Sequence, residues 1–150
     1  RLPQARFNID IKQRTPDMTA AIVSLLREHG AEERVTLASF HGAVIRAVRA
    51  LGYRGRTALA GDEVPIVLAA PRLLCRRWLP ARAAVQIPIQ AGPVELGSRR
   101  FIEKCHALGF RVDYWIINDP SVADVLLDRG ADGIITDDPA GMRSLVDRYR

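Results

Sequence analysis

Strict alternation of apolar and polar positions marks the beginning of the chain, in the stretch RFNIDIKQ at residues 6–13. Successive side chains of a strand point to opposite faces, so the apolar positions share one face and Asn8, Asp10 and Lys12 share the other. The pattern therefore predicts a strand that carries an acid and a base on one face. Taken alone, it fits a half-solvated antiparallel edge strand as well as a strand whose polar face binds a ligand.

Further along, short apolar runs alternate with longer amphipathic segments. The runs predict strands at residues 34–40, 56–61, 84–90, 110–118 and 132–137. The segments between them predict helices at residues 15–30, 41–52, 62–80, 98–109, 119–130 and 138–150. Strands that alternate with helices in this way predict an α/β fold with a parallel sheet, because a parallel connection needs a crossover of roughly a dozen residues.

Local signals mark the ends of these helices. A capping side chain followed by proline is typical of a helix start, and glycine is typical of a helix end. In chain order, these signals are Thr15, Pro16 and Gly30, then Gly52, then Ser98 and Gly109, then Asp119 and Pro120, and finally Asp138 and Pro139. Pro65 and Pro71 are expected to interrupt the helical stretch at residues 62–80, since proline breaks the helical hydrogen-bond ladder.

The length of the chain bounds the architecture. A closed eight-stranded α/β barrel takes about 250 residues, and this chain has 150. We therefore expect a single domain over residues 1–150 that is either an open doubly wound sheet or the later part of a barrel. An open sheet that binds nucleotides ranks last, because no glycine-rich phosphate loop follows a predicted strand.

Charge and composition limit the classes of partner that we expect the protein to bind. The formal net charge is +5 and the pI is near 9.9, which would suit nucleic acid. The basic residues, however, are spread along the whole chain with few aromatic residues between them, so we expect no nucleic acid partner. The two cysteines lack the spacing of a zinc site or a disulfide framework, and a reducing, cytoplasmic setting is expected.

No membrane span is predicted. The longest apolar stretch, VPIVLAAP at residues 64–71, is far shorter than the roughly 20 residues that cross a bilayer. The first residues also lack the order of a signal peptide. The basic and apolar stretch RLLCRRWLP at residues 72–80 is expected to pack on the domain rather than to touch a lipid surface.

Four motifs, taken in order, resemble one family. NIDIK at residues 8–12, VTLASF at 35–40, VDYWIINDP at 112–120 and GADGIITDDP at 130–139 are similar to the C-terminal part of glycerophosphodiester phosphodiesterases. The resemblance implies a (βα)8 TIM barrel of the phospholipase-C-like phosphodiesterase type, of which this chain holds only the later strand-helix units. It also implies that a small-molecule glycerophosphodiester is hydrolysed, in lipid and glycerol metabolism, to an alcohol and glycerol phosphate with a divalent metal, Mg or Ca.

The resemblance also implies site residues. Asp10 stands at the position of a metal-binding acid, where the family usually has glutamate, and Lys12 stands at the position of a lysine that contacts phosphate. Carboxylate oxygens suit a hard divalent cation, and an ammonium suits a phosphoryl oxygen. Trp115, Asn118 and Phe40 match substrate-binding positions, although packing alone would also account for the two aromatic residues.

Several family motifs do not occur in this sequence: a His-Arg-Gly strand, a Glu-x-Asp pair and a second histidine. His29, His41 and His106 fall near the ends of predicted helices, and we expect surface or capping roles for them. Two hypotheses follow: either the chain is part of a phosphodiesterase domain and is inactive by itself, or it is a truncated, non-catalytic relative that acts as a binding or assembly module. In both, an open edge strand would favour self-association or pairing with a missing N-terminal segment.

Overall fold

The computed structural model describes residues 4–14 and 16–149. The chain divides into two compact units, Arg1–Ala84 and Val85–Arg150. Strands alternate with helices within each unit, as the hydrophobic pattern predicts. The expectation of a single domain over residues 1–150 stays a prediction.

The first unit is a parallel sheet with its connecting helices. Its strands are β1 (Phe7–Asp10), β2 (Val35–Ala38), β3 (Arg56–Ala58) and the beginning of β4 (Ala83–Ile87). Its helices are α1 (Pro16–Glu28), α2 (Gly42–Ala50), α3 (Val64–Ala69) and α4 (Arg72–Trp78), with a short 3-10 turn at Glu32–Arg34. Each strand runs parallel to the next. The alternative of an antiparallel edge strand at the start of the chain is therefore wrong.

The second unit continues from the end of β4. A small antiparallel hairpin comes first, made of β5 (Gln90–Ala91) and β6 (Val94–Glu95). It is followed by α5 (Arg99–His106), β7 (Arg111–Tyr114), α6 (Pro120–Asp128), β8 (Gly133–Ile134) and α7 (Arg143–Arg148). β7 and β8 are parallel, and Asp113 is aligned with Gly133.

One face of the sheet in the first unit is covered by helices. The buried cluster on this face includes Val23 and Leu26 of α1, Val44 and Val48 of α2, Val35 and Leu37 of β2, and Ile11, which follows β1. Ile9 of β1 packs against the same cluster. Because side chains alternate along a strand, Asn8 and Asp10 point to the opposite face. Burial in β1 does not alternate, because Phe7 is exposed and Ile9 and Asp10 are both half-buried.

Most helix boundaries agree with the predicted signals. The side chains of Ser98 and Asp119 each accept a hydrogen bond from a backbone N–H in the first turn of the following helix. Gly30 and Gly109 have positive φ angles of 57° and 81° just after α1 and α5, a conformation that glycine adopts without steric cost. The cap predicted at Thr15 lies outside the described residues.

Other boundaries differ from the prediction. α7 begins at Arg143 rather than at Asp138, because Asp138 Oδ1 accepts a hydrogen bond from the N–H of Gly141 at 2.9 Å and closes a turn instead. Pro65 does not interrupt a helix, because it lies in the first turn of α3. The N–H groups of a first turn have no acceptor within the helix, so the missing N–H of proline costs no helical hydrogen bond there. The hairpin of β5 and β6 was not predicted, because strands of two residues carry no periodicity.

The described helices are short compared with the thickness of a bilayer. The longest of them, α1, has 13 residues, whereas a span needs about 20 apolar residues. Among the described residues, no helix combines the length and the apolar character that a membrane crossing requires.

Candidate functional site

Asp10, Lys12 and Phe40 come together in the first unit, and we refer to them as the Lys12 cluster. Asp10 ends β1, Lys12 follows it closely, and Phe40 lies just beyond β2. The Lys12 ammonium donates a hydrogen bond to Asp10 Oδ2 at 2.5 Å and lies 5.6 Å from the centre of the Phe40 ring. This is the pair of acid and base on one strand face that the alternation predicts, with an aromatic ring beside it.

Lys12 is accessible although it is held from two sides. Its side chain is 76% exposed, and Phe40 is 64% exposed. A cation over an aromatic ring gains about 0.5–1 kcal/mol at an exposed site. An ammonium has three N–H donors, and the bond to Asp10 uses one of them. The cluster therefore offers further donors to an anion that arrives from solution.

Asp10 has one engaged oxygen and one unpaired oxygen. Oδ2 accepts the bond from Lys12, whereas Oδ1 is buried and has no hydrogen-bond partner. Burying a carboxylate oxygen without a partner is unfavourable. A cation or a donor that reached Oδ1 would remove this cost.

Ser39 fixes the backbone next to Lys12. Its hydroxyl donates a hydrogen bond to the Ile11 carbonyl at 2.7 Å and accepts one from the His41 N–H at 3.1 Å. The Ile11 N–H donates to the Ala38 carbonyl at 2.7 Å. Ser39 is buried, and it joins the end of β1 to the end of β2 and the start of α2. No local pattern of residues indicates this role.

Trp115 and Asn118 lie in the second unit, after the end of β7. Trp115 is half-buried, and the peptide bond that joins it to Ile116 is cis. The Asn118 side-chain oxygen accepts hydrogen bonds from the Thr136 hydroxyl at 2.9 Å and the Asp137 N–H at 3.0 Å. Its amide nitrogen donates to Asp137 Oδ2 at 3.4 Å. Asn118 thus joins the segment after β7 to the segment after β8.

The chain is similar to known proteins over almost its whole length. Residues 2–141 match the sequence model described as the glycerophosphoryl diester phosphodiesterase family. The chain belongs to this family. Over 141 residues it is 33% identical to the probable glycerophosphodiester phosphodiesterase 2 of Mycobacterium tuberculosis (strain ATCC 25618 / H37Rv), and the match covers 91% of this chain and 53% of that protein. The chain thus spans about half the length of this relative in the glycerophosphoryl diester phosphodiesterase family.

Solved structures show the same fold. The chain resembles a glycerophosphodiester phosphodiesterase from Parabacteroides distasonis ATCC 8503 with a TM-score of 0.68 and 18% identity, over 99% of this chain and 60% of that one. It also resembles an Oleispira antarctica phosphodiesterase, solved in complex with the product sn-glycerol-3-phosphate, with a TM-score of 0.58 and 18% identity, over 88% of this chain and 50% of that one. The prediction of an α/β fold that forms part of a TIM barrel is confirmed.

A complete metal site is not formed by the described part of this family member. The expected cations, Mg and Ca, take about six to eight oxygen ligands. Asp10 Oδ1 fits one such position, since it is a buried oxygen without a partner. Within residues 4–14 and 16–149, no group of three or more His, Cys, Asp or Glu side chains could hold a metal ion. The residues present therefore fit one ligand of a metal and not a whole site.

The three histidines lie at or next to the ends of helices. His106 Nε2 lies 2.9 Å from Asp132 Oδ2, and the same oxygen accepts a hydrogen bond from the Val112 N–H at 2.7 Å. His41 is the N-cap residue of α2, and His29 is exposed just after α1. The His41 side chain makes no cap hydrogen bond, and the expected surface or capping roles of the three histidines stay a prediction.

Asp113 of β7 is a buried acid that the sequence did not single out. It is only 6% exposed, and burial raises the pKa of its carboxyl above the ordinary 3.8, although the charge of Arg111 and a hydrogen bond from Gln86 oppose the shift. Arg111 Nε lies 2.8 Å from Asp113 Oδ1, an ion pair without the alignment of a hydrogen bond. A side chain at Gly133 would collide with this pair, so the glycine makes room for a buried charge.

Proposed function

We propose that this chain provides the phosphate-contacting part of a phosphodiesterase domain, and that the complete domain hydrolyses glycerophosphodiesters to an alcohol and glycerol phosphate. Membership of the family supports this reaction class. The observation that carries the proposal is the Lys12 cluster, in which an exposed ammonium stands beside a carboxylate with an unpaired buried oxygen. Because the chain spans 53% of its curated relative, the activity is proposed for the complete domain.

Lys12 donates an N–H to a phosphoryl oxygen of the substrate. Attack at phosphorus changes the charge on the non-bridging oxygens, and a donor that is already in place stabilises the transition state without reorganisation. Asp10 and Phe40 hold the ammonium from two sides. Their contribution in this proposal is to keep Lys12 at the end of β1 before the substrate arrives.

Asp10 supplies one ligand to a divalent cation, Mg or Ca, in the proposed complete site. Its Oδ1 atom has no other partner, and the remaining ligands come from the part of the family domain that this chain does not span. When bound, such a cation neutralises negative charge on the phosphoryl group. Aspartate is one methylene shorter than the glutamate usual in the family, so Asp10 would hold a cation either from a closer strand or through a water molecule.

Phe40 and Trp115 keep their predicted substrate-binding roles in this proposal, whereas Asn118 takes a positioning role. In the first unit, Phe40 contacts the substrate next to Lys12. In the second unit, Trp115 offers its ring to the glycerol or alcohol group. Asn118 acts through the segment that it holds, because its amide is already bonded to Thr136 and Asp137. The Oleispira antarctica relative binds sn-glycerol-3-phosphate, and we propose a product of the same class here.

Hydrolysis of glycerophosphocholine by the full-length protein tests the proposal, with release of glycerol phosphate as the readout. Lys12→Ala is expected to lower kcat/KM by about 100–1000-fold, the usual effect of removing one donor to the transition state. Arg46→Ala is the control, because Arg46 is also an exposed cation paired with an acid, Asp62, and its loss should leave the rate unchanged. A chelator should abolish hydrolysis, and added Mg or Ca should restore it. Hydrolysis that resists both the chelator and Lys12→Ala would refute the mechanism.

A non-catalytic assembly module is a second candidate function. It rests on β1, which pairs with β2 and lies at the edge of the sheet in the described part of the chain. An open edge is a template for pairing with another chain. Full-length protein that forms dimers by light scattering and shows no hydrolysis with Mg or Ca would favour this candidate. Active, monomeric protein would exclude it.

A further inference from the structure

Helix α4 exposes apolar side chains to an unusual degree. Leu73 is 79% exposed, Trp78 is 57% exposed and Leu74 is 36% exposed. Within the helix, the buried residue is Cys75, so one side of α4 packs on the first unit. The expectation that this stretch does not touch a lipid surface stays untested. Neighbouring apolar side chains that remain in water mark a surface with a partner more often than scattered ones do.

Arginines share this surface with the apolar residues. We define the α4 surface as the exposed residues of this helix, which are Arg72, Leu73, Leu74, Arg76, Arg77 and Trp78. Residues four positions apart are neighbours on a helix. Arg72 and Arg76 therefore line one flank, Leu74 and Trp78 line the other, and Leu73 and Arg77 lie between them. One flank is therefore basic, the other is apolar, and the band between them holds one residue of each kind.

The charge of the α4 surface is of one sign. Residues 64–82 contain arginines at positions 72, 76, 77 and 82 and no aspartate or glutamate. Arg82, which lies outside the helix, is 3.8 Å from Glu33. Arg72 and Arg77 therefore stand beside the leucines and the tryptophan of the helix. This combination favours a partner that is negatively charged on its surface and apolar beneath it.

The topology leaves the α4 surface uncovered by further strands. α3 and α4 connect β3 to β4, and these two strands are hydrogen-bonded directly to each other, with Thr57 aligned with Ala83. Additional strands of a longer family member cannot insert between them. The open edge of the first unit is β1.

We propose that the α4 surface docks the protein onto a membrane surface that contains anionic phospholipid. Trp78, Leu73 and Leu74 enter the interfacial layer, where tryptophan is favoured, and the arginines pair with lipid phosphates. The helix has seven residues, which is too short to cross a bilayer. In this proposal it therefore lies in the plane of the interface. This proposal is independent of the catalytic function proposed above.

Sedimentation with vesicles tests the proposal. The purified protein should sediment with vesicles of phosphatidylcholine and phosphatidylserine, and it should bind vesicles of phosphatidylcholine alone much less. Added salt should dissociate the protein from the anionic vesicles. Arg72→Gln/Arg77→Gln should lower the partition coefficient about 30-fold. The matched control is Arg100→Gln/Arg143→Gln, which removes the same charge from exposed helix positions outside α4 and should lower it less than about threefold. Circular dichroism should show that all variants are folded.

Tryptophan fluorescence identifies the side chain that enters the interface. Emission should shift to shorter wavelength when anionic vesicles are added, and Trp78→Phe should remove the shift although Trp115 is retained. Leu73→Ser should lower the partition coefficient about tenfold. Equal losses in the two double arginine variants, equal binding to neutral vesicles, or no binding to anionic vesicles would each overturn the proposal. Self-association that Leu73→Ser abolishes, without vesicle binding, would instead assign the surface to a protein partner.

Discussion

Ser39→Ala should show how firmly the Lys12 cluster is held by its backbone. The substitution breaks the hydrogen bond to the Ile11 carbonyl, at 2.7 Å, and the one from the His41 N–H, at 3.1 Å. A hydrogen bond contributes about 0.5–1.5 kcal/mol net, and a buried polar group without a partner costs about 1–3 kcal/mol. Because Ser39 is 6% exposed, water cannot readily replace its hydroxyl. We expect the free energy of unfolding to fall by about 2 kcal/mol.

Urea unfolding followed by circular dichroism measures this loss. The matched control is Ser24→Ala, which removes an exposed hydroxyl that donates to Glu28 at 3.2 Å, and we expect a change below about 0.5 kcal/mol. Ser39→Thr keeps a hydroxyl and should recover part of the stability. If Ser39→Ala costs no more than Ser24→Ala, the groups on Ile11 and His41 have found other partners and the reasoning fails.

The kinetics of the same variant separate positioning from stability. Ile11 precedes Lys12, so a looser end of β1 displaces the ammonium from the phosphoryl oxygen. A displacement of about 1 Å can cost about 100-fold in rate. In full-length protein kept at a temperature where it is folded, Ser39→Ala should lower kcat more than it raises KM, and Ser39→Thr should restore kcat. Normal kinetics in a destabilised variant would limit Ser39 to a role in folding.

Two further predictions concern the buried pair on β7. Burial raises the pKa of Asp113 above 3.8 in the folded protein, so the charged carboxylate costs stability above the raised pKa, and the cost is relieved as the pH falls through it. Relative to Asp113→Asn, the wild type should therefore gain free energy of unfolding as the pH falls from neutral towards 3.8. Urea unfolding at several pH values measures this difference. If the free energies of the two proteins changed in parallel with pH, the prediction would be contradicted. Gly133→Ala should lower the free energy of unfolding by about 1–3 kcal/mol, because its methyl group would collide with Asp113 and Arg111. Gly61→Ala, where nothing lies within 4 Å, is the control, and equal urea midpoints for the two glycine variants would exclude crowding as the cause.

Local patterns were sufficient for features that depend on near neighbours in the chain. Alternation predicted Asp10 and Lys12 on one side of the segment at residues 6–13, and the structure joins them by a hydrogen bond although β1 ends at Asp10. The caps at Ser98 and Asp119 form within one helical turn, so their partners lie within three residues. Asp138 shows the limit of such signals, because the residue types that cap helices also close turns.

Features that depend on distant residues could not be predicted from the sequence. Ser39 bonds to a residue 28 positions away, and Asn118 bonds to residues 18 and 19 positions away. The hydrogen bond from Gln86 reaches Asp113 across 27 positions. These partners are determined by the register between parallel strands, which no local periodicity contains. The sequence therefore indicated the Lys12 cluster but not the contacts that hold it.

The position of β1 affects how stably the Lys12 cluster is held, because β1 lies at the edge of the sheet, where it pairs with β2. In the described part of the chain, the strand that carries Asp10 is held by one row of backbone hydrogen bonds, and such a strand opens at a lower free energy than one between two neighbours. A segment that pairs with the other side of β1 binds the closed form in preference to the open form. By mass action, it raises the population in which Asp10 and Lys12 keep their geometry. Barrel assembly and the affinity of the cluster for an anion are then thermodynamically linked.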